Sequence, residues 1–156
     1  MSDPTPEQIA AFKPLLDEWM VDFMKLPAEV QEKYNNAETE WAATGKPMTE
    51  APDHLKGIEL HAVCDKNGDG MLNQEEWHDF CLKMDEYNQA KYGGVVVMSA
   101  ETHAKWWNVM KSYSAGDGVT QADMDHSNKL YAACFAEWID IYLKSFFHNS
   151  GVLGFW

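Results

Sequence analysis

Apolar residues recur at steps of three and four along most of this chain, which is the period of a helix with one buried face. The first series, Ile9, Phe12, Leu16, Trp19, Phe23 and Leu26, follows Thr5-Pro6-Glu7-Gln8, a pattern that caps and starts a helix. It predicts a long first helix, with Pro14 expected to kink it or split it in two. Val30, Tyr34, Ala37 and Trp41 predict a second helix over 28–43, closed by Gly45 and Pro47, with a linker over 46–52. Leu55, Ile58, Leu60 and Val63 supply the apolar positions of a third, and Trp77, Phe80, Cys81, Met84 and Tyr87 those of a fourth. After a loop and a short extended apolar piece over 92–98, Ser99 or Thr102 is placed to cap a fifth helix carrying Trp106, Trp107, Met110 and Tyr113. A further helix starts near Gln121, and an apolar-rich one runs from Asn128 to Phe147. The tail His148 to Trp156 leaves that helix at Gly151 and is expected to fill an internal groove. The expected class is all-α.

The periodicity breaks between the third and fourth helices, at Asp65-Lys66-Asn67-Gly68-Asp69-Gly70-Met71-Leu72-Asn73-Gln74-Glu75-Glu76. Oxygen-bearing side chains stand at the first, third, fifth, ninth and twelfth places, with glycine sixth and an apolar residue eighth. A hard divalent cation such as calcium takes six to eight oxygens at roughly 2.3 to 2.6 Å, and alternate residues of a tight loop can supply them. Asp65, Asn67 and Asp69 would each give a side-chain oxygen and Met71 its backbone carbonyl. Asn73 would act directly or through water, and Glu76 would close the shell with two oxygens. Gly70 suits a sharp reversal and Leu72 points to the core. With its flanking helices, about residues 55 to 91, this stretch resembles the EF-hand superfamily, and that resemblance implies calcium binding. His61, four residues before Asp65, stands where such proteins place an aromatic, and reads as a hydrogen-bonded core histidine.

Such loops pair through a short antiparallel bridge near the eighth place, and the candidate partner is Tyr113 to Asp123. Val119 there matches Leu72 and Asp123 matches Glu76, but the segment is short by one or two residues, and Tyr113 and Ala115 offer the ion no side-chain oxygen. It reads as a degenerate loop that supports the first, the alternatives being a weak second ion site and an ordinary helix–helix turn. Four regions follow: 1–52, helical without an ion loop, since Leu26-Pro27-Ala28-Glu29-Val30 carries no spaced acids; 53–92, the hand with the competent loop; 93–128, the degenerate hand; and 129–156, an apolar helix and tail packed on the core.

Composition narrows the function. The net charge is −13 and all twelve basic residues are lysine. A chain without arginine or a positive field is poorly suited to nucleic acid. No stretch reaches the ~18 apolar residues of a membrane span, and Met1-Ser2-Asp3-Pro4 does not begin a secretion signal. Cys64, Cys81 and Cys134, odd in number and set in apolar surroundings, suit reduced thiols of a cytoplasmic protein. His54 and His61 can share a helix face but no second pair completes a transition-metal cage, and His78 is expected to be exposed. No nucleophile elbow, phosphate loop or dinucleotide fingerprint appears, so no enzyme is expected. The expected function is an intracellular calcium buffer or signal modulator with one competent site, in an arrangement like that of sarcoplasmic calcium-binding proteins. The alternatives are a sensor that uncovers an apolar groove for a partner helix, and a calcium-triggered photoprotein-like luciferin binder.

Overall fold

Thr5 starts the first helix as its sequence requires: its hydroxyl accepts the Gln8 N–H at 3.2 Å while Gln8 Oε1 accepts the Thr5 N–H at 3.1 Å. The computed structural model describes residues 3–138, with side-chain surroundings as far as residue 134. Six α-helices carry this part of the chain: α1 (Pro6–Phe23), α2 (Ala28–Ala43), α3 (Pro52–Cys64), α4 (Gln74–Tyr92), α5 (Ala100–Ser112) and α6 (Gln121–Trp138). A 3-10 turn at Met48–Glu50 interrupts the expected linker. The described part of the chain is therefore all-α. Among the described residues β pairing is limited to an isolated antiparallel bridge between Leu72 and Val119. No described helix is long and apolar enough to cross a membrane.

Two expectations are corrected, and one of the two alternatives for Pro14 falls: it does not split α1, which is one element from Pro6 to Phe23. Pro14 is exposed, so the carbonyl one turn back that loses its partner lies on the solvent side, where water can satisfy it. On α3 the buried residues are Gly57, Leu60, His61 and Cys64, whereas Leu55, Ile58 and Val63 are exposed. At 3.6 residues per turn the first four form one stripe and the other three lie about 100° or more away from it. The helices expected from Gln121 and from Asn128 are one element, α6, which continues through position 128. The expected extension to Phe147 and the docking of the tail fall outside the described residues.

The packing order follows from which faces are apolar. α1 packs on α5 and α6, α3 on α4, α4 on α5 and α2 on α4. Phe12 meets Trp106 edge-on at 5.1 Å between centroids, joining α1 to α5, and Tyr34 stacks on Tyr92 at 3.9 Å, joining α2 to α4. Cys64, Cys81 and Cys134 are all buried free thiols. Burial, with Asp79 beside it, pushes the Cys64 thiol up to about 11, and burial likewise raises Cys81.

Burial pushes the carboxyl of Asp85 on α4 up, to about 6. The unfolded chain loses this proton near pH 3.9, so the folded chain holds more protons between about pH 4 and 6, and stability falls as pH rises through that window. Asp85→Asn is expected to remove that slope and to raise the Tm at pH 7 by about 3 °C, read from melts at pH 4.5 and 7.5. An unchanged slope would place the cause at another group.

Candidate metal centre

Asp65, the residue on which α3 ends, organises the loop. Its Oδ1 accepts the N–H of Gly68 at 3.1 Å and of Asp69 at 3.2 Å, and its Oδ2 that of Gly70 at 2.8 Å. Asn67 Oδ1 accepts the Asp69 N–H at 3.1 Å and Asp69 Oδ1 the Met71 N–H at 2.9 Å. Wrapping the chain this tightly needs φ of +70° at Gly68 and +81° at Gly70, a region open to glycine and costly to side chains.

Glu76 closes the ring. It is buried, with 6% of its surface exposed, and its Oε1 accepts the Lys66 N–H at 3.1 Å while Oε2 accepts the Asn73 N–H at 3.0 Å. Asn73 Oδ1 returns the bond to the Glu76 N–H at 2.9 Å. One carboxylate thus joins the second, ninth and twelfth places of the loop and also forms a capping box at the start of α4. Glu76 Oε1, Glu76 Oε2 and Asn73 Oδ1 each have a second lone pair to offer.

The second loop is tied to the first at one point, and two helix side chains reinforce the tie. Leu72 and Val119 exchange N–H to carbonyl bonds of 2.8 and 2.9 Å. The Leu72 carbonyl also accepts the Trp107 indole N–H at 3.1 Å. The Val119 carbonyl also takes His61 Nε2 at 3.0 Å, which requires that ring nitrogen to carry the proton. His61 is thus a hydrogen-bonded core histidine, reaching from α3 to the opposite loop, and Trp107 does the reverse from α5. Nothing local in the sequence marks Trp107 for this role. Glycine is required at 118, where a Cβ would lie 2.7 Å from the Leu72 carbonyl oxygen, while one on Gly116 would lie 2.4 Å from Met71 Sδ, the movable end of a flexible side chain. The Met71 side chain, immaterial if only its carbonyl binds an ion, therefore packs over the partner loop.

The second loop is held without an aspartate at its head. Ser114 Oγ donates to the Gly118 carbonyl at 2.9 Å, and Thr120 and Asp123 cap α6 reciprocally, at 2.8 and 3.1 Å. Asp117 is exposed. Elsewhere, His54 Nε2 lies 3.6 Å from Asp125 on α6. His78, expected on the surface, is half-buried with its Nδ1 2.9 Å from Nδ1 of His103, so one ring donates to the other. Burial, and then His78, hold His103 below the ordinary histidine range.

Six loop residues, Asp65, Asn67, Asp69, Met71, Asn73 and Glu76, offer carboxylate, amide and carbonyl oxygens only, a set chemically matched to a hard cation. Their side-chain oxygens accept hydrogen bonds from loop N–H groups. Among the described residues no three His, Cys, Asp or Glu side chains are gathered closely enough to hold a metal by themselves. In comparisons with known proteins, no family model, no curated protein and no solved structure matches the chain. The resemblance to EF-hands therefore rests on the loop's own residues.

Proposed function

We propose that the loop from Asp65 to Glu76 binds one calcium ion and that the protein acts as a calcium buffer or signal modulator. The observation that carries this reading is Glu76, a buried carboxylate bonded to both limbs of an all-oxygen loop. Bound there, calcium would supply charge and coordination and no bond-making chemistry. Asp65 and Glu76 hold the loop's course, Gly70 permits it, and the bridge to Val119 braces it from outside. Three carboxylates leave a filled site near −1. The second loop, with Tyr113 at its head and no aspartate there, serves as brace and not as a second site.

The choice of buffer over sensor rests on the opposite end of the same hand. Asp53, in the first turn of α3, accepts the Tyr87 hydroxyl at 2.8 Å and the Lys91 ammonium at 2.6 Å on Oδ1, and the Tyr92 hydroxyl on Oδ2. All three donors lie near the end of α4. A sensor has to swing its exit helix away from its entry helix, and here that motion breaks three bonds to one carboxylate, each worth about 1 to 3 kcal/mol.

Calorimetric titration of the full chain with calcium is expected to give one site, and a hydrophobic dye is expected to brighten little on filling it. Asp53→Ala is expected to increase the calcium-dependent dye signal severalfold by releasing α4. No heat and no spectral change at millimolar calcium would overturn the calcium reading. A large dye signal in the unaltered chain would favour the sensor.

A further inference from the structure

Between α2, the 3-10 turn, the start of α3 and the end of α4 lies a cavity of about 310 Å³. Tyr34, Trp41 and Tyr92 are among its walls, and Glu38, Glu40, Asp53 and Lys91 are its charged groups. Three carboxylates thus face one ammonium, and that ammonium is already bonded to Asp53 at 2.6 Å. The lining's aromatic rings already meet ammonium groups of the chain itself. Lys91 Nζ lies 5.2 Å from the centroid of Tyr92, and Lys46 Nζ lies 5.8 Å from that of Trp41. These distances are those at which a cation is attracted to an aromatic face. The volume is at the lower end of that found for small-molecule sites, and the surplus of carboxylates, in a chain of net charge −13, disfavours an anion.

We propose that this cavity binds a small organic ammonium ion with an apolar body, the body against the aromatic walls and the charge beside the cavity's carboxylates. The cavity lies at the end of the α3–α4 pair away from the loop, and the proposal does not depend on calcium.

Three probes with one body and different heads test it: 2-phenylethylammonium, 2-phenylethanol and phenylacetate, titrated into the full chain with a chelator present and followed by amide chemical shifts. The ammonium is expected to shift Tyr34, Trp41 and Tyr92 and to bind at least about tenfold more tightly than the alcohol, with phenylacetate weaker still. Glu40→Gln, at an exposed position, is expected to lower the ammonium affinity by about threefold or more and leave the alcohol unchanged. Glu38→Gln combined with it, in a variant shown by circular dichroism to be folded, is expected to erase the preference. Equal binding of the three probes, shifts mapping elsewhere, a preference that survives both substitutions, or no binding of the ammonium at 10 mM, roughly the weakest useful affinity, would each overturn the proposal.

Discussion

Replacing Glu76 with glutamine is expected to weaken calcium binding by at least about a hundredfold, or about 2.7 kcal/mol, while leaving far-ultraviolet circular dichroism essentially unchanged. Glutamine keeps one acceptor oxygen where Glu76 uses two, so the Lys66 N–H or the Asn73 N–H loses its partner and meets an amide NH₂ instead. The twelfth place of the loop also loses its charge, and with it the bidentate closure that a calcium shell asks of this position. The helical cost is far smaller. Losing half of a capping box costs about 1 kcal/mol, and α4 keeps Asn73 as its N-cap and a buried face of Trp77, Phe80, Cys81 and Met84. Calorimetry of this variant beside the unaltered chain separates the two roles. An unchanged isotherm would show that Glu76 is a helix cap only and would remove the proposed site.

Gly118→Val is expected to lower the Tm by about 6 to 12 °C and to weaken calcium binding several-fold, although position 118 offers the ion nothing. The reason is steric. The added Cβ would sit 2.7 Å from the Leu72 carbonyl oxygen and 3.0 Å from its carbonyl carbon, both backbone atoms that cannot turn aside. The loops must separate, and the Leu72 and Val119 N–H groups, buried together with the Trp107 and His61 side-chain donors, then lose their bonds. Two or three unsatisfied buried groups amount to about 3 kcal/mol, and a chain of this size loses about 2 to 4 °C for each kcal/mol. Asp117→Asn, on the exposed part of the same loop, is expected to change neither the Tm nor the calcium stoichiometry. A second heat of binding that disappears in Asp117→Asn would make the second loop a site in its own right.

What could be read from the sequence was what is local. The positions of α1, α2 and α4 followed from apolar spacing and caps, because a residue's place on a helix depends only on its neighbours within a turn or two. The loop was legible for the same reason: its oxygens, Gly70 and Leu72 are all within twelve residues of one another. Features made by distant residues were not legible. The Asp53 cluster joins side chains as far apart as Asp53 and Tyr92, and no pattern around either announces the other. His61 could be read as a core histidine, but its acceptor, the Val119 carbonyl, could not. The misjudged face of α3 has a related cause: with Leu55, Ile58 and Val63 spread around the helix, apolar count could not say which stripe the neighbouring helices cover, and Gly57 and His61 were needed to see it.

The three sealed thiols offer a clock for motions of this fold. Cys64 immediately precedes Asp65, shows no exposed surface and has its thiol 3.7 Å from Asp79. With its proton held up to about 11, almost none of it is thiolate at neutral pH. An alkylating reagent can reach that sulfur only in moments when α3 parts from α4, so the labelling rate at residue 64 counts how often that helix pair opens.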